Sequence, residues 1–195
     1  MKKLGCLGII LIAVVVLILW GLGKYNSLVS QDENVNKAWA QVENQYQRRA
    51  DLIPNLVETV KGYAEHESET LQNVIEARAK ATSINIDPNN LTEEALKQYQ
   101  QAQGELSNAL GRLMVSVERY PDLKANQNFL ELQSQLEGTE NRVNNARDAF
   151  NEAAQTYNTM VRKFPANIVA SLFGFKNKAY FAAAEGASEA PKVQF

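Results

Sequence analysis

Phe129 to Phe164 reads FLELQSQLEGTENRVNNARDAFNEAAQTYNTMVRKF, and its apolar positions decide the fold. Phe129, Leu132, Leu136, Thr139, Val143, Ala146, Phe150, Ala153, Tyr157, Met160 and Phe164 follow one another in alternating steps of three and four. A 3.5-residue period held over about five heptads is a helix seam made to face other helices. Only Thr139 on it is polar, and Gly138 lies beside the seam without interrupting it. The opposite face is Asn, Gln, Glu and Arg, suited to solvent or a partner. Asn126 is placed to cap this helix and Phe164-Pro165 to end it, which predicts a helix over 126–164.

Upstream, Leu96, Tyr99, Leu106, Leu110, Leu113, Val117 and Tyr120 mark a second stripe over 91–120, with Gln103 its polar exception. Asn90 with Glu93 three residues later looks like its start, Thr92 being the other candidate cap. Pro121-Asp122 stops it. TSINIDPNN, residues 82–90, is turn chemistry. Before it, Val35, Trp39, Val42, Tyr46, Ile53, Leu56, Val60 and Tyr63 form a third stripe, on which Arg49 is the exception. Pro54 removes one backbone donor and crowds the preceding turn. The apolar phase survives it and resumes at Leu71, Val74 and Ile75, so the reading predicts one kinked, continuous helix over about 25–81.

Farther back, Leu4 to Gly23 reads LGCLGIILIAVVVLILWGLG without a charge. Wound as a helix at ~1.5 Å per residue, such a run spans the ~30 Å hydrocarbon core of a bilayer. The run is too long for a cleaved signal, and no small-x-small site follows it. Trp20, Lys24 and Tyr25 mark its membrane interface. Lys2, Lys3 and the terminal amine outweigh Lys24 and Lys37, which puts the amino terminus inside and the body outside the cytoplasm. Cys6 is the single cysteine, so no internal disulfide forms. Lys3-Leu4-Gly5-Cys6 faintly resembles a lipid-attachment box, but such a box needs its apolar stretch before the cysteine, and here it follows.

After Pro165 the segment NIVASLFGF, residues 167–175, is apolar, with Ile168, Leu172, Phe173 and Phe175 as candidate docking residues. Its cover is the chain's own bundle, a neighbouring subunit or a membrane surface. The organisation expected is all-α: a short tail 1–3, a transmembrane helix 4–23, an elongated antiparallel three-helix bundle 24–164, and a short apolar helix and tail over 165–195. Two short turns would send the first helix away from the membrane, the second back and the third out again.

Little in the chain points to chemistry. With 195 residues and a net charge of −2 it lacks the basic face that nucleic acid requires. His66 is the only histidine, and a mononuclear metal site needs three or more converging ligands. There is no glycine-rich phosphate loop and no nucleophile elbow. Neither a metal nor any other cofactor is expected. Arg49, Glu140 and Arg147 lie on or near the seams and are read as fixing the register of the bundle. Trp39 and Tyr46 are read as core and Pro54 as the kink.

Several long stretches resemble the LemA family. They are AWAQVENQYQRRADLIPNLVETV at 38–60, YPDLKAN at 120–126, LEGTEN at 136–141, and Ala146-Arg147 followed by Phe150-Asn151. Tyr25 to Val29 and the ending Val193-Gln194-Phe195 fit as well. Phe150 stands where the family pattern leads one to expect Tyr, keeping the aromatic knob without its hydroxyl. The resemblance implies a bacterial membrane protein with one amino-terminal transmembrane helix, a long helical bundle and no enzymatic activity. It also implies a link to membrane shaping, since a relative in magnetotactic bacteria is associated with magnetosome membrane formation. Some members are given the opposite orientation, amino terminus outside.

The expectation is a non-enzymatic, single-pass protein of the bacterial cell membrane whose body forms homo-oligomers and organises or remodels the bilayer. The alternative is an adaptor for a membrane-protein partner such as a protease or sensor kinase.

Overall fold

The computed structural model describes residues 2–182. Met1 of the expected amino-terminal tail and residues 183–195 of the expected carboxy-terminal tail lie outside them. The all-α expectation holds: the described residues form six helices and no strand. They are α1 (Lys2–Lys61), α2 (Ser68–Ser83), α3 (Glu93–Val117), the one-turn α4 (Pro121–Lys124), α5 (Gln127–Arg162) and α6 (Ala166–Phe173).

α1 is one unbroken helix of 60 residues that carries both the apolar run and the first bundle stripe. Lys2 and Lys3, expected in a short tail, already belong to the helix. Pro54 sits on its exposed side, inside the helix.

One expected helix is divided. The span 25–81 breaks after Lys61, where Gly62 and Tyr63 turn, Tyr63 and Ala64 both donate to the Val60 carbonyl, and a 3-10 turn Glu65–Glu67 leads into α2. Ala64 is buried in the turn and fixes it to the core. α2 then runs back along α1, with Arg78 reaching Ala50. The sequence phase hid this reversal. Val60 and Leu71 are eleven residues apart, about three helical turns, so a continuing helix and a folded-back one present the same apolar positions.

The extra reversal inverts the expected directions of the two later helices. α3 runs away from the apolar end of α1, from Tyr99 beside Trp39 toward Tyr120, just past its end, beside Glu67. α5 returns, from Asn126 beside Tyr63 through Glu140 beside Arg49 and Phe150 beside Trp39. Four rods thus alternate in direction. The Thr92 hydroxyl caps α3 by accepting from Ala95 N–H (3.2 Å), and Asn126 caps α5 by accepting from Phe129 N–H (3.1 Å).

The core is in layers. A distal cluster holds Ile53, Leu56, Val60, Leu71, Leu106, Leu113, Leu123 and Phe129. A proximal cluster holds Val35, Trp39, Val42, Tyr46, Tyr99, Val143, Phe150 and Tyr157. Burying one such side chain contributes about 1.5–3 kcal/mol, so these layers carry the stability. Of the stripe ends, Tyr63 and Phe164 lie exposed, because the bundle stops there. A third, small cluster at the base joins Leu28 to Val169 and Ala170 of α6.

Candidate functional site

The three polar interruptions of the stripes meet at one level, between the distal and proximal clusters. Arg49, Gln103 and Thr139 are all buried there. Arg49 Nη1 donates to Glu140 Oε2 (2.6 Å) and Ser107 Oγ (2.9 Å), and Nη2 to Gln103 Oε1 (2.8 Å). Gln103 Nε2 donates on to the Ala81 carbonyl at the end of α2 (3.3 Å). One guanidinium therefore ties α1, α3 and α5 directly, and α2 through Gln103. It also stacks over the Tyr46 ring, 5.1 Å from its centroid. Thr139 satisfies its hydroxyl within α5, on the Gln135 carbonyl (2.7 Å). A charge held by fixed acceptors at one height suits the setting of helix register.

Arg147 belongs elsewhere. It does not pair with Glu140; Nη2 donates to the Ala182 carbonyl (3.0 Å) and the guanidinium lies 4.9 Å from the Phe181 ring centroid. The tail it holds was invisible in the stripes. Gly174, at φ 77°, ends α6 in a left-handed turn that a side chain would strain. Beyond it the chain climbs back up the bundle. Lys178 N–H donates to Asn158 Oδ1 (2.8 Å), and Asn158 Nδ2 donates to the Lys178 carbonyl (2.8 Å). Asn151 repeats the exchange with Phe181, at 2.8 and 3.2 Å. The two asparagines stand one heptad apart on α5 and grip the tail backbone as a neighbouring strand would. Phe181 then lies 5.3 Å from Phe150 and 6.0 Å from Trp39, closing the proximal core. The buried Lys178 pairs with Asp32 (3.0 Å) and donates to the Pro88 carbonyl (2.9 Å).

The same region perturbs its tyrosines. Burial, with Asp32 nearby, pushes the Tyr157 phenol up to about 12. Burial also raises the Tyr46 and Tyr99 phenols. None of the three is poised to give up a proton near neutral pH. His66 is exposed in the distal turn, and among the described residues no three His, Cys, Asp or Glu side chains converge as a metal set.

The base of the body is built from α6 and the start of the bundle part of α1. α6 docks through Ala166, Val169 and Ala170, all buried. Phe173 lies 4.8 Å and Phe175 5.8 Å from the Tyr25 ring. The docking residues named from sequence therefore divide: Phe175 is half-buried and Phe173, though 59% exposed, packs on Tyr25, whereas Ile168 (58% exposed) and Leu172 (77%) lie open. Below this level Leu11 to Trp20 and Leu22 of α1 are exposed large apolar residues apart from Ala13, which bears a small one. The stretch is long and apolar enough to cross a membrane. Trp20 is exposed and Lys24 half-exposed at its upper end. A groove of about 870 Å³ opens between the start of α3, α5 and the tail beyond α6, lined in part by Asp32, Glu93, Asn158, Arg162, Lys176 and Tyr180.

The family model described as the LemA family matches residues 38–195. The chain is 30% identical over 193 residues to the magnetosome protein MamQ of Magnetospirillum gryphiswaldense, covering 90% of this chain and 71% of that protein. It is 29% identical over 187 residues to magnetosome protein MamQ 1 of Paramagnetospirillum magneticum, covering 87% and 69%. It is 24% identical over 164 residues to protein LemA of Metamycoplasma hominis, covering 84% and 71%. These relatives and the apolar half of α1 fit a membrane location. The chain belongs to the LemA family.

Proposed function

We propose that this chain is a non-enzymatic, single-pass membrane protein whose helical body self-associates to organise or remodel the bilayer that carries it. The observation behind this reading is the unbroken α1, which passes from the apolar run into the bundle core without a linker. Such a junction holds the body at a fixed attitude to the membrane, as a scaffold requires and a floppy tether does not. The names of the magnetosome relatives point the same way. The body lies on the extracytoplasmic side, on the balance of Lys2 and Lys3 against Lys24. Imaging and native mass measurement of the full-length protein in vesicles test the reading: assemblies that alter vesicle shape support it, and a strict monomer on unchanged vesicles ends it.

The adaptor reading has its own support at the far end of the body, where Val115 is 72% and Leu130 48% exposed. In-cell cross-linking separates the two. One stoichiometric foreign partner favours the adaptor; ladders of the chain itself favour the scaffold.

A further inference from the structure

We infer that α6 is an interfacial helix: its free apolar flank lies in the same leaflet that α1 enters, held there by cations that meet anionic lipid headgroups. The argument begins with the three flanks of α6. At 100° per residue, Ala166, Val169 and Ala170 share the side buried against the body, and Phe173, 59% exposed, follows on that side to pack on Tyr25. Ile168 and Leu172 lie on one adjoining flank, Asn167 and Ser171 on the other, and all four are exposed. A short helix docked by one face, with an apolar flank on one side and a polar flank on the other, is arranged for a boundary between oil and water.

Height places that boundary. Tyr25, which touches Phe173, follows the end of the apolar run by two residues, about 3 Å of helix rise. The exposed apolar surface of α1 continues through Leu22 and Tyr25 onto Phe173. The bilayer that the apolar run enters would then end about 3 Å below the level at which Phe173 meets Tyr25, close enough to cover Leu172 without a second copy.

Charge selects the lipid. No Asp or Glu occurs from 153 to 182, whereas Arg162, Lys163, Lys176 and Lys178 do. Lys178 is spent on Asp32, but Arg162, Lys163 and Lys176 are exposed around α6. Arg162 and Lys176 also line the groove under the tail, whose lining includes Asp32, already paired with Lys178, and Glu93. Basic residues flanking an apolar helix face favour phosphate-bearing, anionic headgroups. The inference rests on α1 crossing the membrane and not on self-association.

The test uses the full-length chain with Cys6→Ser, reconstituted at low density in vesicles of phosphatidylglycerol and phosphatidylethanolamine. Single spin labels go at Leu172→Cys, at Asn167→Cys on the polar flank, and at Asn128→Cys, exposed at the other end of α5. The expected result is several-fold higher collision with oxygen relative to a water-soluble nickel complex at 172 than at 167 or 128. Zwitterionic vesicles, or Arg162→Gln, Lys163→Gln and Lys176→Gln together, should shrink that difference with helicity unchanged. A label at 172 as water-accessible as at 128 overturns the inference, because the base then stands clear of the bilayer. Shielding of 172 from both probes also overturns it, since protein then covers the flank. Equal insertion in zwitterionic vesicles removes the role of charge. A strict monomer in these vesicles sinks the scaffold reading and leaves this one standing.

Discussion

Arg78 donates through Nε to the Ala50 carbonyl (2.8 Å), the acceptor that Pro54, lacking an N–H, leaves without its helical donor. α1 runs through a proline because α2 folds back and supplies the missing donor from outside. The exposed ring of Pro54 and the half-buried Arg78 are therefore one device on two helices. Arg78→Ala should cost about 1–3 kcal/mol, the range for losing a charged hydrogen bond to a carbonyl. Pro54→Ala restores the internal donor, so the same Arg78 substitution should cost less in that background. A double-mutant cycle on denaturant midpoints checks the pair; equal costs in both backgrounds would deny the coupling.

Arg49 and Glu140 are unequal partners. The Arg49 side chain is 3% exposed and that of Glu140 47%. Glu140→Gln leaves the guanidinium still bonded to Ser107 and Gln103 and should cost about 1 kcal/mol. Arg49→Ala strands Gln103 in the core and empties a layer, and should cost about 3–5 kcal/mol. Paired apolar replacement, Arg49→Met with Gln103→Leu, should recover much of that loss. Equilibrium unfolding of the three variants ranks them.

The asparagine grip on the tail predicts a local effect. Asn158→Ala frees the Lys178 backbone and Asn151→Ala that of Phe181. Either change should raise hydrogen exchange at 175–182 well before the bundle opens, and both together should expose Lys176 and Lys178 to trypsin. Unchanged protection in the double variant would show that Phe181 and the ties of Arg147 and Lys178 hold the tail without the asparagines.

Stability should fall at high pH. The Tyr157 phenol ionises near 10.0 when free and near 12 in the fold. The fold thus retains a proton that the unfolded chain loses. The contribution is complete below about pH 10 and is lost as pH rises toward the folded value. Tyr157→Phe should flatten this alkaline decline, measured as the thermal midpoint at a series of pH values above neutrality.

What the sequence showed and hid follows from where each signal lies. The seam of α5 was legible because alternation of three and four has one physical solution, and the polar interruptions of the three stripes, Arg49, Gln103 and Thr139, already stood out. Their meeting at one height was not legible, since it needs the register between helices. The reversal at Gly62 was masked by apolar positions that keep step across it. Arg78 gave no sequence signal, because its partner is a backbone carbonyl. Asn151 and Asn158 bind backbone too, so the tail residues opposite them carry no complementary side-chain code. α6 is apolar on most sides, and only packing reveals that Val169 and Ala170 are covered and Ile168 and Leu172 left bare.

The unbroken α1 is also a lever. From Tyr25 to Lys61 the helix rises about 54 Å at ~1.5 Å per residue. Transmembrane helices tilt by ~20° on average to match bilayer thickness, and that tilt would swing the distal turn sideways by about 18 Å. In the proposed scaffold, a thin patch of membrane and a thick one would thus set the far ends of neighbouring rods at different spacings, turning a property of the lipid into a distance between proteins.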